Sequence, residues 1–459
     1  MGNALLVFPI FLSWNMFIKI SKIMSRFTSY YLYQKYEKVG DGEWTPTYPN
    51  EYSISGDSEN TMPLVIKSEN DVNCGYRDPI YRWADTEDTI CIYNGEYAGQ
   101  YLTIESLEDN NAIYWKASNS SFTKTISAST DNGVTWTEYT SSTGGSGTTI
   151  ATLNAGEKVF LKGTNAAYAT TSNGWVWSSF NGNKKFNVYG NLLSLVYGNS
   201  FINKMTIEKE NTFTFLFKES NVVDAGNLVM QASTLTNWCY AYMFYNCANL
   251  TVAPELPATT LVNSCYDNMF YGCTSLTAAP QLPATTLAAD CYSQMFAKCT
   301  SLTTAPELPA TTLANRCYDA MFMSCTSLTT APALPSTTLA EGCYASMLEG
   351  CTSLSVAPEL PATTLANYCY SRMFMGCASL RTAPTLSAET LVYQCYYRMF
   401  KDCTRLNSIT CLATNKSAGS CVEYWVYNVS SSGTFTKASG TTWSRGISGI
   451  PNGWTIQNA

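Results

Sequence analysis

A Cys-Tyr pair recurs along the second half of this 459-residue chain at residues 239, 265, 291, 317, 343, 369 and 395, and Cys421 opens a degenerate eighth unit. Every interval is 26 residues, so residues 239–420 hold seven units without an insertion. A second cysteine follows each first by eight residues, at 247, 273, 299, 325, 351, 377 and 403. The consensus reads C-Y-x-x-M-F-x-x-C-T-S-L-T-x-A-P-x-L-P-A-T-T-L-x-x-x. One unit of this length exposes both flanks of its apolar layer. Stacked units merge those layers into a continuous core, so an array this regular is bound to be a solenoid.

Two periodicities divide the unit. Cys265, Tyr266, Met269, Phe270 and Cys273 stand at i, i+1, i+4, i+5 and i+8. That spacing predicts one apolar stripe on a short helix. Leu276-Thr277-Ala278-Ala279 predicts a short strand, limited by Pro280 and Pro283, because proline cannot donate to a ladder. Cys265, Met269, Phe270, Cys273, Leu276, Leu282 and Leu287 are the expected core of a unit. At roughly 4.8 Å per stacked strand, seven units span about 34 Å. Upstream, Phe213, Phe217, Met230 and Leu235 keep the 26-residue phase without cysteines. Downstream, Trp425 takes the Met slot and Val429 the second Cys slot, as degenerate end units require.

The M-F-x-x-C-T-S-L blocks, such as Met269 to Leu276, Met295 to Leu302 and Met321 to Leu328, resemble the BspA-like leucine-rich repeats, including the 26-residue class of bacterial surface proteins. The resemblance covers roughly residues 213–429 and departs from the family at the A-P-x-L-P segment. It implies a leucine-rich-repeat solenoid of strand-turn-helix units on a surface-exposed protein. The tail GTFTKASGTTWSRGISGIPNGWTI is similar to endings found after such repeats in gut-bacterial and gut-phage proteins. The Tyr-rich opening from Met24 looks like the starts of tail-fibre-like proteins of phages of Bacteroidota.

The expected fold class is therefore α+β, an N-terminal all-β region ahead of the solenoid. Residues 1–23 form a hydrophobic leader, whose run at 4–20 is marginal for a bilayer span. It serves either as an anchor or as a stretch ahead of a true start at Met24. Residues 24–95 are Tyr- and Pro-rich and extended, and IYRWADTEDTICIY, around Arg82 and Trp83, predicts a strand pair. Cys74 and Cys91 lie there, with their redox state open. Residues 96–205 alternate with period two in YLTIES, AIYWKA, FTKTISAS, VTWTEY and KVFLKG, which predicts a small β-sandwich. Ser141 to Thr149 reads as a loop. Residues 206–238 are the N-terminal cap of the repeats, and 421–459 the C-terminal cap with a β tail. Within the sandwich, Ser129-Thr130-Asp131-Asn132-Gly133-Val134-Thr135-Trp136 resembles the Asp-box of sialidase-type propellers. The same residues suit a structural hairpin: Asp accepts turn hydrogen bonds, Gly takes positive φ and Trp packs beneath.

Chemistry is sparse. The chain has no histidine, which excludes His-dependent triads, dyads and metal sites. A net charge of −7 argues against a nucleic-acid footprint. Fourteen of 18 cysteines fall in the repeats without a C-x-x-C pair, so small buried thiols are expected rather than zinc ligands. No catalytic, metal or cofactor-binding residue is assigned and no cofactor is expected. The array supplies its own comparison: inward slots hardly change, whereas the slot before the first Cys runs Trp238, Ser264, Asp290, Arg316, Gly342, Tyr368, Gln394. The second and third slots after that Cys vary as well, as in Asp267-Asn268, Ser293-Gln294, Ser371-Arg372 and Tyr397-Arg398. These positions are expected on an outer helix face. Tyr368, Arg372, Tyr397, Arg398, Arg316 and Trp238 are the candidate partner-binding residues. The expected function is a non-enzymatic, surface-displayed binding protein, an adhesin or a phage tail receptor-binding element for a cell-surface glycan or envelope protein. The alternative is a glycan-active enzyme with its site in the β region, since carboxylates alone can hydrolyse glycosides. The expected location is extracellular, on a bacterial cell or a phage virion. Membrane contact follows only if residues 4–20 are an anchor, and a homo-oligomer only for a tail fibre.

Overall fold

Alternation of apolar and polar residues builds the first layer. The computed structural model describes Tyr97, residues 99–172, 174–202 and 204–459, and the backbone of six short upstream strands. By contacts the chain divides into two units, Met1–Gln100 and Tyr101–Ala459. In the first unit β1 (Tyr30–Leu32) pairs with β4 (Ile66–Ser68), and β2 (Tyr36–Val39) with β3 (Glu43–Pro46). The expected pair in IYRWADTEDTICIY is β5 (Arg82–Trp83) against β6 (Ile90–Cys91). The apolar run at 4–20, the start at Met24, Cys74 and the side chain of Cys91 lie outside the described residues.

In the second unit, β7 (Leu102–Ser106), β8 (Asn111–Ala117), β9 (Thr125–Ser129), β10 (Thr137–Thr140) and β12 (Lys158–Lys162) form where the period-two segments predict them. Three further strands are β11 (Thr148–Leu153), β14 (Val176–Gly182) and β15 (Phe186–Asn191). β11 begins inside the segment expected to be loop. With β13 (Ala169–Thr170) and β16 (Leu228–Val229) they make two open sheets. One has the order β10-β9-β12-β7-β15-β16 and the other β11-β8-β14-β13. Leu102, Ile104, Val159 and Leu161 from the first meet Ile113, Trp115 and Phe180 from the second in one core, where Trp115 stacks on Phe180. The Asp-box-like segment is the β9–β10 hairpin. Asp131 accepts from Ser129 Oγ at 2.6 Å and from the Thr135 N–H at 2.9 Å, and these bonds, Ser129 first, hold its carboxyl down to about 2. Asn132 and Gly133 take the positive φ, and Trp136 packs edge-on to Tyr101.

The last sheet strand, β16, belongs to the repeat array. It pairs parallel with β15, and Asp224 bridges onward to Val252. The sandwich edge is thus covered by the first coils, and one apolar core runs from Leu102 to Trp454.

The array departs from the expected strand-turn-helix unit. The second unit is mostly β, and its one α-helix among the described residues is α1 (Ser194–Tyr197), outside the repeats. The C-Y-x-x-M-F-x-x-C segment is a run of overlapping tight turns. Cys265, Asp267, Met269, Tyr271 and Cys273 each donate an N–H to the carbonyl three residues back, at 3.1–3.3 Å. The alternate residues Ser264, Tyr266, Asn268, Phe270 and Gly272 donate to the next coil, to Ala289, Cys291, Ser293, Met295 and Ala297, at 2.8–3.1 Å. Every fourth residue has φ near +60°, here Ser264, Asn268 and Gly272. That periodic reversal turns the backbone out of the helix path, so alternate donors point along the stack. A four-residue recurrence of apolar residues does not distinguish this from a helix, because both bring i, i+4 and i+8 to one side.

The proline half of the unit is looser. Neighbouring coils meet there at single parallel bridges, Ala278 to Thr304 and Thr304 to Thr330, and at Thr312 to Thr338 and Thr338 to Thr364. Proline is the cause, and the chain contains the control. The coil at 408–411 reads Ser-Ile-Thr-Cys without proline, and there a full strand forms, β17 (Ser408–Cys411). It pairs parallel with β18 (Thr434–Lys437), which pairs with β19 (Thr455–Asn458).

The expected unit core is buried: Cys265, Met269, Phe270, Cys273 and Leu276 are wholly inaccessible, Leu282 nearly so, and Leu287 packs half-buried against them. Seven tyrosines, from Tyr240 to Tyr396, stack coil on coil with ring centroids 5.6–6.2 Å apart. All sixteen described cysteines are free and buried. The second thiol of each unit donates to the preceding coil, as Cys299 Sγ does to the Phe270 carbonyl at 3.1 Å. At the N-terminal cap the phase is 27 residues, not 26. Phe213 therefore stacks on Tyr240 and Phe217 on Phe244, while buried Thr212 and Ser220 stand where cysteines stand in later coils. At the other end Trp425 fills the Met slot and donates its indole N–H to Gly449.

Candidate binding surface

Because inward side chains and the turn ladder hold each coil, outward positions of the turn half are free to differ. Three are the positive-φ slots: the residue before the first cysteine, and the third and seventh after it. The second and sixth slots lie beside them. These slots lie on turns rather than on a helix, and their exposure is uneven. Ser264, Asp267, Asn268, Ser293 and Ser371 are buried beneath their neighbours, so the expectation of a uniformly outward face is corrected there. Among the candidates Arg316 is exposed, whereas Trp238, Tyr368, Arg372, Tyr397 and Arg398 are half-buried.

The surface changes character along the array. At its first coils Trp238 lies 5.3 Å from Trp175, an exposed ring of the sandwich, and Trp175 also meets Phe215 and Tyr242. Tyr245 and Tyr271 stack at 4.8 Å, with Lys218 near Tyr245 and Lys298 near Tyr271. Apart from Trp238, the sequence reading missed this group. Its signal is the sixth slot, which reads Tyr245, Tyr271, Ala297, Met323, Glu349, Met375, Lys401, Tyr427.

The middle coils are acidic and internally paired. Burial pushes the Asp267 carboxyl up to about 7, although Asn268 Nδ2 donates to it at 2.8 Å. Arg316 stands between Asp290 at 3.3 Å and Asp319 at 3.1 Å, so its guanidinium is already engaged by two carboxylates.

The last coils differ again. The Arg398 guanidinium lies 4.8 Å from the centre of Tyr397 and 5.8 Å from that of Tyr424, and Arg372 lies 5.9 Å from Tyr397. Tyr368 meets Tyr393 edge-to-face at 5.3 Å. The structure thus brings Arg372, Tyr397 and Arg398 together, adds Tyr424, and leaves Tyr368 with Tyr393, Arg316 with its aspartates and Trp238 at the far end.

Among the described residues, no three His, Cys, Asp or Glu side chains gather in a way that could hold a metal ion. No described helix is long and apolar enough to cross a membrane. No curated protein and no solved structure matches the chain. Residues 237–371, under a third of the chain, match in six copies the family described as BspA type leucine rich repeat region. The coils between Asn237 and Ser371 are therefore leucine-rich repeats similar to the BspA type.

Proposed function

We propose that this chain is a non-enzymatic binding protein displayed outside the cell, which recognises a surface glycan or an envelope protein through the turn side of its array. An adhesin on a bacterial surface and a receptor-binding element of a phage tail are the two settings that fit it. Repeats of the BspA type are commonly surface adhesion and binding modules, which supports display and binding as the role.

One observation carries the reading. Across successive coils the inward slots repeat Cys, Tyr, Met and Phe, while the outward slots beside them run through aromatic, acidic and basic residues. The ladder of main-chain bonds to the next coil does not depend on those outward side chains. Variation there leaves the scaffold intact, and Tyr, Trp and Arg are the residue types that anchor interfaces.

The test replaces Tyr368, Arg372, Tyr397 and Arg398 together with Ser and measures attachment of the purified full chain to native host surfaces. Attachment should weaken at least tenfold while melting stays within a few degrees of the parent. Unaltered attachment would move the site elsewhere. Turnover of a surface glycan by the purified protein would replace binding with catalysis.

A further inference from the structure

We infer that Arg372 and Arg398, with Tyr397 and Tyr424, form a site for the carboxylate groups of an acidic polysaccharide laid along the last coils. The inference rests on the binding role proposed above and names its ligand class.

The contrast between Arg316 and the other two arginines carries it. Arg316 spends its guanidinium on Asp290 and Asp319. Among the described residues Arg372 and Arg398 make no ion pair and no side-chain hydrogen bond. Their positive charge is held against tyrosine faces instead, at 4.8–5.9 Å from the ring centres. The Nε of Arg398 is buried without an acceptor, so the rings rather than hydrogen bonds fix that side chain. A guanidinium packed near aromatic rings, and not hydrogen-bonded within its own chain, leaves the planar fork of its terminal N–H groups free to donate. That fork matches a planar carboxylate through two parallel hydrogen bonds.

Three features select a polymer of acidic sugars. Tyr424, beside Arg398, and Tyr427, beside Lys401, are each about two-fifths exposed, and they give apolar ring surface with a polar edge next to a positive charge, suited to a sugar ring. Arg372 and Arg398 occupy the same slot of successive coils, and Tyr397 and Tyr424 stand on successive coils beside them. A linear polymer lying along the stack meets Arg372 and Arg398 one coil apart, and then Tyr424 in the same slot of the next coil. The chain as a whole carries a net charge of −7. Bulk attraction therefore disfavours polyanions, and binding one requires a local site.

The experiment measures binding of the full chain to alginate and hyaluronan, with dextran, dextran sulfate and phosphatidylglycerol vesicles as comparison probes. The expected result is binding to the two carboxylated polymers and none to dextran, with weaker binding to the sulfated polymer and the vesicles. The double variant Arg372→Gln/Arg398→Gln should lose at least tenfold in affinity for the carboxylated polymers with unchanged melting. Arg372→Lys/Arg398→Lys keeps the charge but not the fork, and should also lose several-fold. Lys116→Gln, at an exposed cation of the sandwich strand β8, should leave the affinity unchanged. Failure of the parent chain to bind either carboxylated polymer overturns the inference. So does equal binding by the Gln variant, or equal affinity for all three polyanions. If attachment to host surfaces falls in the fourfold Ser variant yet resists competition by alginate and hyaluronan, the inference falls and the proposed function stands. If the parent attaches to no host surface yet binds alginate through these arginines, the proposed function falls instead.

Discussion

The sandwich and the repeat array share one apolar core but close their backbones in opposite ways. In the sandwich each strand pairs antiparallel with a partner set by topology, as β12 does with both β7 and β9. No periodicity announces those partners. In the seven units from Cys239 to Ser420 each coil bonds to the one 26 residues on, through five turn-half N–H groups per unit. The sandwich fills its centre with large aromatic and aliphatic side chains such as Trp115, Phe180 and Leu161, and holds no cysteine. The array fills two of its inward columns with thiols. Regular neighbour bonding makes the array extensible, whereas its uniform core makes it vulnerable to any condition that acts on all units at once.

Alkaline pH is the strongest such condition. Burial raises the thiols of Cys239, Cys247, Cys291, Cys299, Cys343, Cys351, Cys395 and Cys403 up to about 12. In the unfolded chain a cysteine titrates near 8.5, so above that pH the unfolded state holds fewer protons than the folded one. Stability is then whole below about pH 8.5 and falls as pH rises toward 12, by about 1.4 kcal/mol per pH unit for each thiol. With eight or more thiols acting together, the array should unfold between about pH 9 and 10. Proteolysis mapped by mass spectrometry should show cuts within 239–420 first. Full resistance at pH 11 would show that the thiols are not buried as described. In the same buffers, iodoacetamide should modify few of the array cysteines below pH 8 and nearly all after denaturation.

Leu302→Asp comes next in size. Leu302 is fully buried in a central coil, and an unpaired carboxylate there costs several kcal/mol. Nearest-neighbour coupling should carry the loss into the flanking coils, so melting falls and protease sites open on both sides of residue 302. A variant with unchanged melting would place Leu302 outside the core. The corresponding change on the sandwich surface, Thr137→Asp, should leave melting nearly unchanged, because Thr137 is exposed on edge strand β10.

The smallest effect is a stabilisation. Ala320 sits at φ +51°, a conformation that costs an alanine more than a glycine. Ala320→Gly should therefore raise stability by roughly 0.5–1 kcal/mol, offset in part by the greater freedom of glycine in the unfolded chain. The same substitution in a helix would lower stability by a similar amount. The sign of the shift in a thermal melt thus separates a chain of turns from a helix, and a decrease would restore the helical reading.

Much of the architecture is legible in residue order. The 26-residue recurrence identifies the stack, the period-two segments identify five sandwich strands, and the A-P-x-L-P run foretells weak strand pairing. Cys, Tyr, Met, Phe and Leu lie inward because any fold that stacks such units must bury them. The helix did not hold. Spacing by four fixes which side chains share a side, but not the dihedral angles that bring them there. Those angles are chosen by the neighbouring coil, which offers carbonyls to every second N–H and makes the positive φ at Ser264, Asn268 and Gly272 affordable.

The candidate surface divides along the same line. Sequence alone marks the slots that vary from unit to unit and names Arg316, Arg372 and Arg398 without distinguishing them. Tertiary structure separates them, since only stacking shows that Asp290 reaches Arg316 from the preceding coil while Arg372 and Arg398 meet tyrosine rings. It also brings Trp175 of the sandwich beside Trp238 of the array, 63 positions apart in the chain. The periodic pattern determines what lies inside, because burial acts on every unit alike. The partners of the outward side chains come from adjacent coils and from the sandwich, so they are decided only when the chain has folded.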